Sequence, residues 1–332
     1  MNTQILLVIL VVLALFFAFV NGFHDTANVV ATIIASRAMT PRAALLIAAA
    51  ANFVAPFLFG VAVAKTIGTE VASPEAMTIA VVAAALIGAT VWNLATWRLG
   101  IPSSSSHALI GGILGAVAVG SGLEVIHAEG LWLIAIALFI SPVIGFVVGA
   151  VLMRLILFFA RGASPGANLF FKYAQLPTAI ILALSHGTND AQKAMGIITL
   201  GLVVLGFQKD FVVPVWVILA CAAAIGVGTA AGGWRIIHTL GGKFYRIRAV
   251  HSFASQLASG AVILGASLVG GPVSTTQVVS SAILGAGAGQ RVSQVRWGVL
   301  KDILVAWLLT LPASAGLSAL IYFPVNYLIG VS

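Results

Sequence analysis

With one cysteine in 332 residues, the chain cannot be framed by disulfides or hold a multi-cysteine metal site, and Cys221, inside an apolar run, reads as packing. Charge is scarce too. Only 7% of residues are Asp, Glu, Lys or Arg against 61% hydrophobic, and the mean hydropathy is +1.14. That leaves too few polar side chains to cover a soluble globule of this length, so the chain reads as an integral membrane protein. No sustained alternation of apolar and polar residues occurs, which excludes a barrel; the apolar runs last about twenty residues, as membrane helices do. Acidic residues number 8 against 16 Lys and Arg. The surplus does not point to nucleic acid, because the basic residues sit in short loops between apolar spans, where topology accounts for them. What is plentiful is glycine, 35 residues, which lets helices in lipid approach closely.

Charged loops punctuate the chain. Ile5 to about Ser36 is a long interrupted apolar stretch, expected to be a mature span because no Lys or Arg precedes it and no small-residue cleavage site follows. Ala43 to Ala64 is the next span, followed by a net acidic loop from Lys65 to Glu75. Ala76 to about Gly120 forms a double pass, and Leu131 to Met153 a clean span. Residues 154–175, with Arg154, Arg161 and Lys172, form a basic linker. The plan then repeats through Leu176 to Gly206, Val213 to Trp234, a double pass from Val250 to about Gly289, and a last span from about Gly298. The positive-inside rule puts the basic loops (37–42, 154–172, 235–248, 291–301) in the cytoplasm and both termini outside. Residues 1–153 and 176–332 therefore read as two repeats of opposite orientation. The expected fold is an all-α polytopic membrane protein of two inverted-topology repeats with broken helices or re-entrant hairpins, about 10–12 segments in all. Hydropathy leaves open whether each double pass is two spans or a span plus a re-entrant hairpin.

Each half carries one copy of the same device. Asn21-Gly22-Phe23-His24-Asp25-Thr26-Ala27-Asn28 is followed by Gly100-Ile101-Pro102 and Ser103, Ser104, Ser105, Ser106; Ser185-His186-Gly187-Thr188-Asn189-Asp190 is followed by Gly270-Gly271-Pro272-Val273 and Ser274, Thr275, Thr276. Asp25 and Asp190 are 165 residues apart, Gly100 and Gly270 170. A glycine-flanked Asn-Asp break in an apolar run and a later hydroxyl loop, both duplicated, fit a transporter built from repeats.

Asp25 and Asp190 are the acidic residues inside predicted spans, at about 2.5–3.5 kcal/mol each on insertion scales. Capping a half-helix would be a structural use, but serine caps without burying charge. A cation or proton site is the functional reading, with Asn28 and Thr32 on the face of Asp25. The hydroxyl loops, each at the start of a small-residue helix, read as an anion site. Lys193 corresponds to Asn28, and both neutralisation of Asp190 and contact with the anion stand as readings. His24, His107 and His186 flank the motifs, with Asn189 and Gln277 at the positions matching His24 and His107, so amide-like hydrogen bonding fits better than metal ligation. Arg98 is a topology anchor or a vestibule charge. A hydrolase built on Ser106, His107 and Asp25 is disfavoured, since the second copy lacks the histidine; an anion channel is disfavoured by buried carboxylates beside the anion site.

These motifs resemble the inorganic phosphate transporter (PiT) family, whose signatures look like Gly-x-Asn-Asp-x-x-Asn and whose later loops look like Pro-x-Ser-Thr-Thr-His; the resemblance covers nearly the whole chain. His24 departs from the family asparagine, Gln192 and Lys193 from Ala-Asn, and Gln277 from the loop histidine. The resemblance implies a secondary importer of phosphate in the cell membrane, in symport with sodium or a proton, and a homodimer. A sulfate permease of the same family is the alternative. No enzyme activity, cofactor or nucleic acid is implied, only a coupling ion. The residues expected to meet phosphate are Ser103, Ser104, Ser105, Ser106, Ser274, Thr275, Thr276 and Lys193. The cation is expected at Asp25, Asn28, Asn189 and Asp190, the two carboxylates being the metal ligands if the ion is sodium.

Overall fold

A computed structural model describes residues 2–69, 73, 76–164 and 166–330. Glu70 and Glu75, which make the loop after Lys65 acidic, lie outside the described residues. Among those described there are helices and no strands: α1 Thr3–Ala35, α2 Pro41–Leu58, α3 Ala62–Thr69, α4 Ile79–Leu99, α5 Ser105–Gly120, α6 Ala128–Phe159, α7 Ala167–Val204, α8 Val215–Ala231, α9 Trp234–Gly242, α10 Ala249–Leu268, α11 Thr275–Gln290 and α12 Trp297–Gly330.

Local sequence sets the boundaries. Asn2 caps α1, Thr78 caps α4, and Thr40 caps α2, which opens on Pro41. Gly100 ends α4 in the left-handed conformation at φ 69°, a geometry that glycine adopts without strain, and Gly270 takes the same conformation after α10 at φ 76°.

Among the described residues seven helices (α1, α2, α4, α6, α7, α10 and α12) are long and apolar enough to cross a membrane, and α8 with α9, bent by 68° between them, counts as an eighth if the pair is one broken span. The expected ten to twelve segments are reached only by also counting the shorter helices. At 16 residues each, α5 and α11 rise about 24 Å, short of a core about 30 Å thick. Two other expectations shift. The stretch 154–175 is mostly helical, since α6 runs to Phe159 and α7 begins at Ala167. The breaks expected at the two Asn-Asp segments are absent, because α1 and α7 continue through both. Thr26 and Thr188 return their hydroxyls to the carbonyls of Gly22 and Leu184, one turn back, so both stay satisfied within the helix. The chain breaks instead at the Gly-Pro loops between α4 and α5 and between α10 and α11.

The motif glycines allow close approach. A Cβ at Gly22 would run into the Ile225 carbonyl of α8, and one at Gly187 would meet the Asn52 backbone of α2 at 2.7 Å. Gly115 of α5 presses on Ala315 of α12, and its counterpart Gly285 of α11 presses on Phe146 of α6. α3 packs on α7, and α9 on α1. Each half thus rests on the other through corresponding elements. Outside, Ile5, Val8, Val12 and Phe16 form an exposed stripe on α1, which belongs against lipid. If this packing governs stability, Gly115→Ala should cost about 1–3 kcal/mol by overpacking. Gly316→Ala, with nothing within 4 Å of the new carbon, should be neutral or gain up to about 1 kcal/mol of helix propensity. Thermal unfolding in detergent checks this, and equal midpoints for the two variants would refute it.

Candidate functional site

Both irregular loops run into the interior and are buried from Pro102 and from Pro272 onward, which is allowed only where their backbone groups find partners. The Gly100 carbonyl accepts from Thr239 Oγ1 at 2.8 Å and the Pro102 carbonyl from Trp307 Nε1 at 3.0 Å. The Gly270 carbonyl accepts from Thr66 Oγ1 at 2.8 Å, the counterpart contact from the other half. Ser104 and Ser274 then start α5 and α11: each is extended, and its hydroxyl accepts from the backbone N–H three residues on, at 3.1 and 3.3 Å. Those two hydroxyls are spent as caps. Ser103 bonds Thr96 at 2.8 Å, and Ser106 donates to the Val273 carbonyl at 3.0 Å.

The hydroxyls that reach the carboxylates are the ones just inside the helices. Ser105 donates to Asp25 Oδ2 at 2.8 Å, and Thr276, from the other loop, donates to Asp25 Oδ1 at 3.0 Å. Thr275 donates to Asp190 Oδ2 at 3.3 Å, matching the Ser105 contact. Both helix N-termini therefore open on one centre, whose positive ends suit an anion. Asp25, Asp190 and His186 bring ligand atoms within 4.8 Å of one another.

The two carboxylates are compensated differently. Lys193 Nζ lies 2.7 Å from Asp190 Oδ1 and reaches Ser105 at 3.5 Å, so pairing and proximity to the hydroxyls occur together. His186 Nε2 lies 3.1 Å from Asp190 Oδ2 without hydrogen-bond geometry. Asp25 has no such ammonium; His24 Nδ1 donates to it at 2.7 Å. Asn28 Nδ2 bonds Thr276 at 3.0 Å, and Asn189 Nδ2 bonds Ser267 at 3.0 Å, while both amide oxygens are buried without a partner. Thr32, expected on this face, instead accepts from Gln256 at 3.1 Å, away from the carboxylates. Every group at the centre is closed off: Asp25, Asp190, Lys193, Ser105, Thr275 and Thr276 are each at most 2% exposed.

Some neighbours escaped the sequence reading. His186, expected beside the motif in a hydrogen-bonding role, lies among the carboxylates themselves, and its i, i+4 spacing from Asp190 was the available signal for that. Asn52 bonds Thr229 at 2.8 Å and His186 Nδ1 at 3.3 Å, and Thr96 links Ser103 to His24. Nothing near them in the chain marked Asn52 or Thr96. Arg98 stays at the margin, its carbonyl accepting from Arg235.

The chain matches the PHO4 phosphate transporter family over residues 21–318. It is 46% identical to a Bacillus subtilis protein named "Probable low-affinity inorganic phosphate transporter", over 97% of this chain and 98% of that one. A protein of the same name from Rhizobium meliloti is 45% identical over 96% of each. A solved structure titled "The sodium-dependent phosphate transporter" superposes with a TM-score of 0.87 at 25% identity, covering 98% of this chain and 100% of that one. The family is one of transporters and not of enzymes, and the hydrolase reading falls. With both motif pairs inside the matched residues, this chain belongs to the phosphate transporter family.

Proposed function

We propose that the protein imports inorganic phosphate across the cell membrane by symport with a cation, through the centre formed by Asp25, Asp190 and the two hydroxyl loops. The observation that carries this reading is the convergence of both N-terminal helix ends and both carboxylates on one closed point. Two carboxylates there face one ammonium, Lys193. Adding phosphate deepens the imbalance, so cations or protons must accompany it. Moving a dianion inward against about 100 mV costs roughly 4.6 kcal/mol, which the same cations offset. The buried, unpartnered oxygens of Asn28 and Asn189 beside the carboxylates are hard donors suited to sodium, and the sodium-dependent neighbour favours that ion over a proton.

The hydroxyls supply the coupling. Each has one proton to donate, and Ser105, Thr275 and Thr276 give theirs to carboxylates. A cation or proton on Asp25 or Asp190 releases these donors to the anion. Ser103, Ser104, Ser106 and Ser274 hold the helix ends that aim them. The exchanged packing of the halves supports two repeats, 1–153 and 176–332, of opposite orientation. The basic loops favour a cytoplasmic linker and termini outside, and a homodimer follows from the family likeness.

Uptake into proteoliposomes with sodium and pH gradients imposed separately tests the coupling. Asp25→Asn and Asp190→Asn are each expected to lower gradient-driven accumulation at least about tenfold, a loss of about 1.4 kcal/mol or more. Normal accumulation in both would end the assignment. The substrate is tested by competition: phosphate near neutral pH keeps a proton to give a carboxylate, sulfate has only acceptors, and a site built for a substrate OH rejects the analogue lacking it. Arsenate should compete well and sulfate poorly; equal inhibition by the two would favour the sulfate permease alternative.

A further inference from the structure

Four arginines, none of them part of either motif, converge on one concavity. Arg246 and Arg248 come from the turn before α10, Arg291 and Arg296 from the segment between α11 and α12, and together they line a cavity of about 460 Å³. None of the four makes an ion pair among the described residues, where the three ion pairs found all lie at the central site. Topology accounts for basic residues on one membrane face. It does not account for two segments some fifty residues apart being tied into a bowl.

The tie is specific. The Arg248 N–H donates to His251 Nδ1 at 3.0 Å, so that nitrogen carries the lone pair and Nε2 carries the proton, given to Gln290 Oε1 at 2.6 Å. Gln294 donates to the same oxygen at 3.2 Å and to the Gly287 carbonyl at 2.8 Å. The Arg296 N–H donates to the Phe244 carbonyl at 3.0 Å, and the buried Tyr245 hydroxyl to the Ile283 carbonyl at 2.7 Å. These bonds fix the backbone of both segments while leaving all four guanidiniums exposed. Guanidinium forks match phosphate oxygens bidentately.

We propose that this bowl is a second anion site, taking a phosphate-bearing anion of more than one charge, either a free polyphosphate or the headgroup of an anionic lipid. It is independent of the transport reading, since none of its residues belongs to the central site. Tripolyphosphate binding is measured by calorimetry on the full-length protein in nanodiscs of phosphatidylcholine. Wild type is compared with Arg246→Gln/Arg291→Gln and with Arg37→Gln/Arg42→Gln, which removes equal charge from another basic loop. Phosphate uptake by each variant checks folding. Binding weakened at least about tenfold by the first pair, a loss of about 1.4 kcal/mol, and little by the second is the expected result. Native mass spectrometry from nanodiscs containing phosphatidylglycerol separates the sources: lipid retained by wild type and by the Arg37/Arg42 variant, but lost from the bowl variant, assigns the site to a headgroup. Equal weakening by both pairs, or neither tripolyphosphate nor phosphatidylglycerol held more firmly by wild type than by the bowl variant, overturns the proposal.

Discussion

Two carboxylates held together in an apolar interior set the terms for the rest of this fold. A buried ion is tolerated only when paired and hydrogen-bonded, and Asp25 and Asp190 receive hydroxyls from both loops, a histidine contact each and one ammonium. The hydroxyls that reach the carboxylates come from the first turns of two helices. Hence α5 and α11 each begin at the centre, although α4 and α10 before them run out to the exposed Leu99 and Leu268. The loop backbones this exposes are satisfied by Thr239, Trp307 and Thr66, side chains of α9, α12 and α3. Removing the carboxylates would leave the broken helices without a purpose; removing the breaks would leave the carboxylates short of donors.

Close helix contact is the second requirement, since lipid offers no hydrophobic drive for helix association. Glycines at matching positions meet it: Gly22 on α8 and Gly187 on α2, Gly115 on α12 and Gly285 on α6. In these contacts α1 and α5 of one half meet α8 and α12 of the other, and α7 and α11 meet α2 and α6. Neither half can complete the centre alone, because Thr276 of the second serves Asp25 of the first and Ser105 of the first accepts from Lys193 of the second.

The carboxylates were legible because acids are so scarce that two inside apolar runs stand out, and the loops were legible because they occur twice. Ser105 could not be told from Ser104 by composition. That choice depends on which residue is extended at the helix start, a matter of backbone geometry: Ser104 at φ −98° and ψ 114° caps, so Ser105 falls on the first turn and reaches Asp25. The break was misplaced at Asn-Asp for a similar reason. Glycine beside polar residues reads as a breaker, but in α1 and α7 these glycines face neighbouring backbones, and the threonine hydroxyls bond within the helix. His186 and Asn52 meet 134 residues apart, and no local pattern carries that.

The two motif copies differ where charge is balanced. Asn28 and Lys193 are counterparts, one offering an unpartnered oxygen and the other an ammonium. A neutral amide at both positions would leave two carboxylates dependent on mobile cations. An ammonium at both would satisfy them permanently, leaving the anion no linkage to any gradient, since a ligand shifts only an equilibrium in which it has differential affinity. One of each keeps Asp190 compensated by the protein and leaves Asp25 with hydroxyls and a histidine. The hydroxyl proton of Ser105 is the link between them: its oxygen accepts from Lys193 while its proton goes to Asp25. Whatever binds Asp25 therefore acts on a hydroxyl that also contacts Lys193 of the other half.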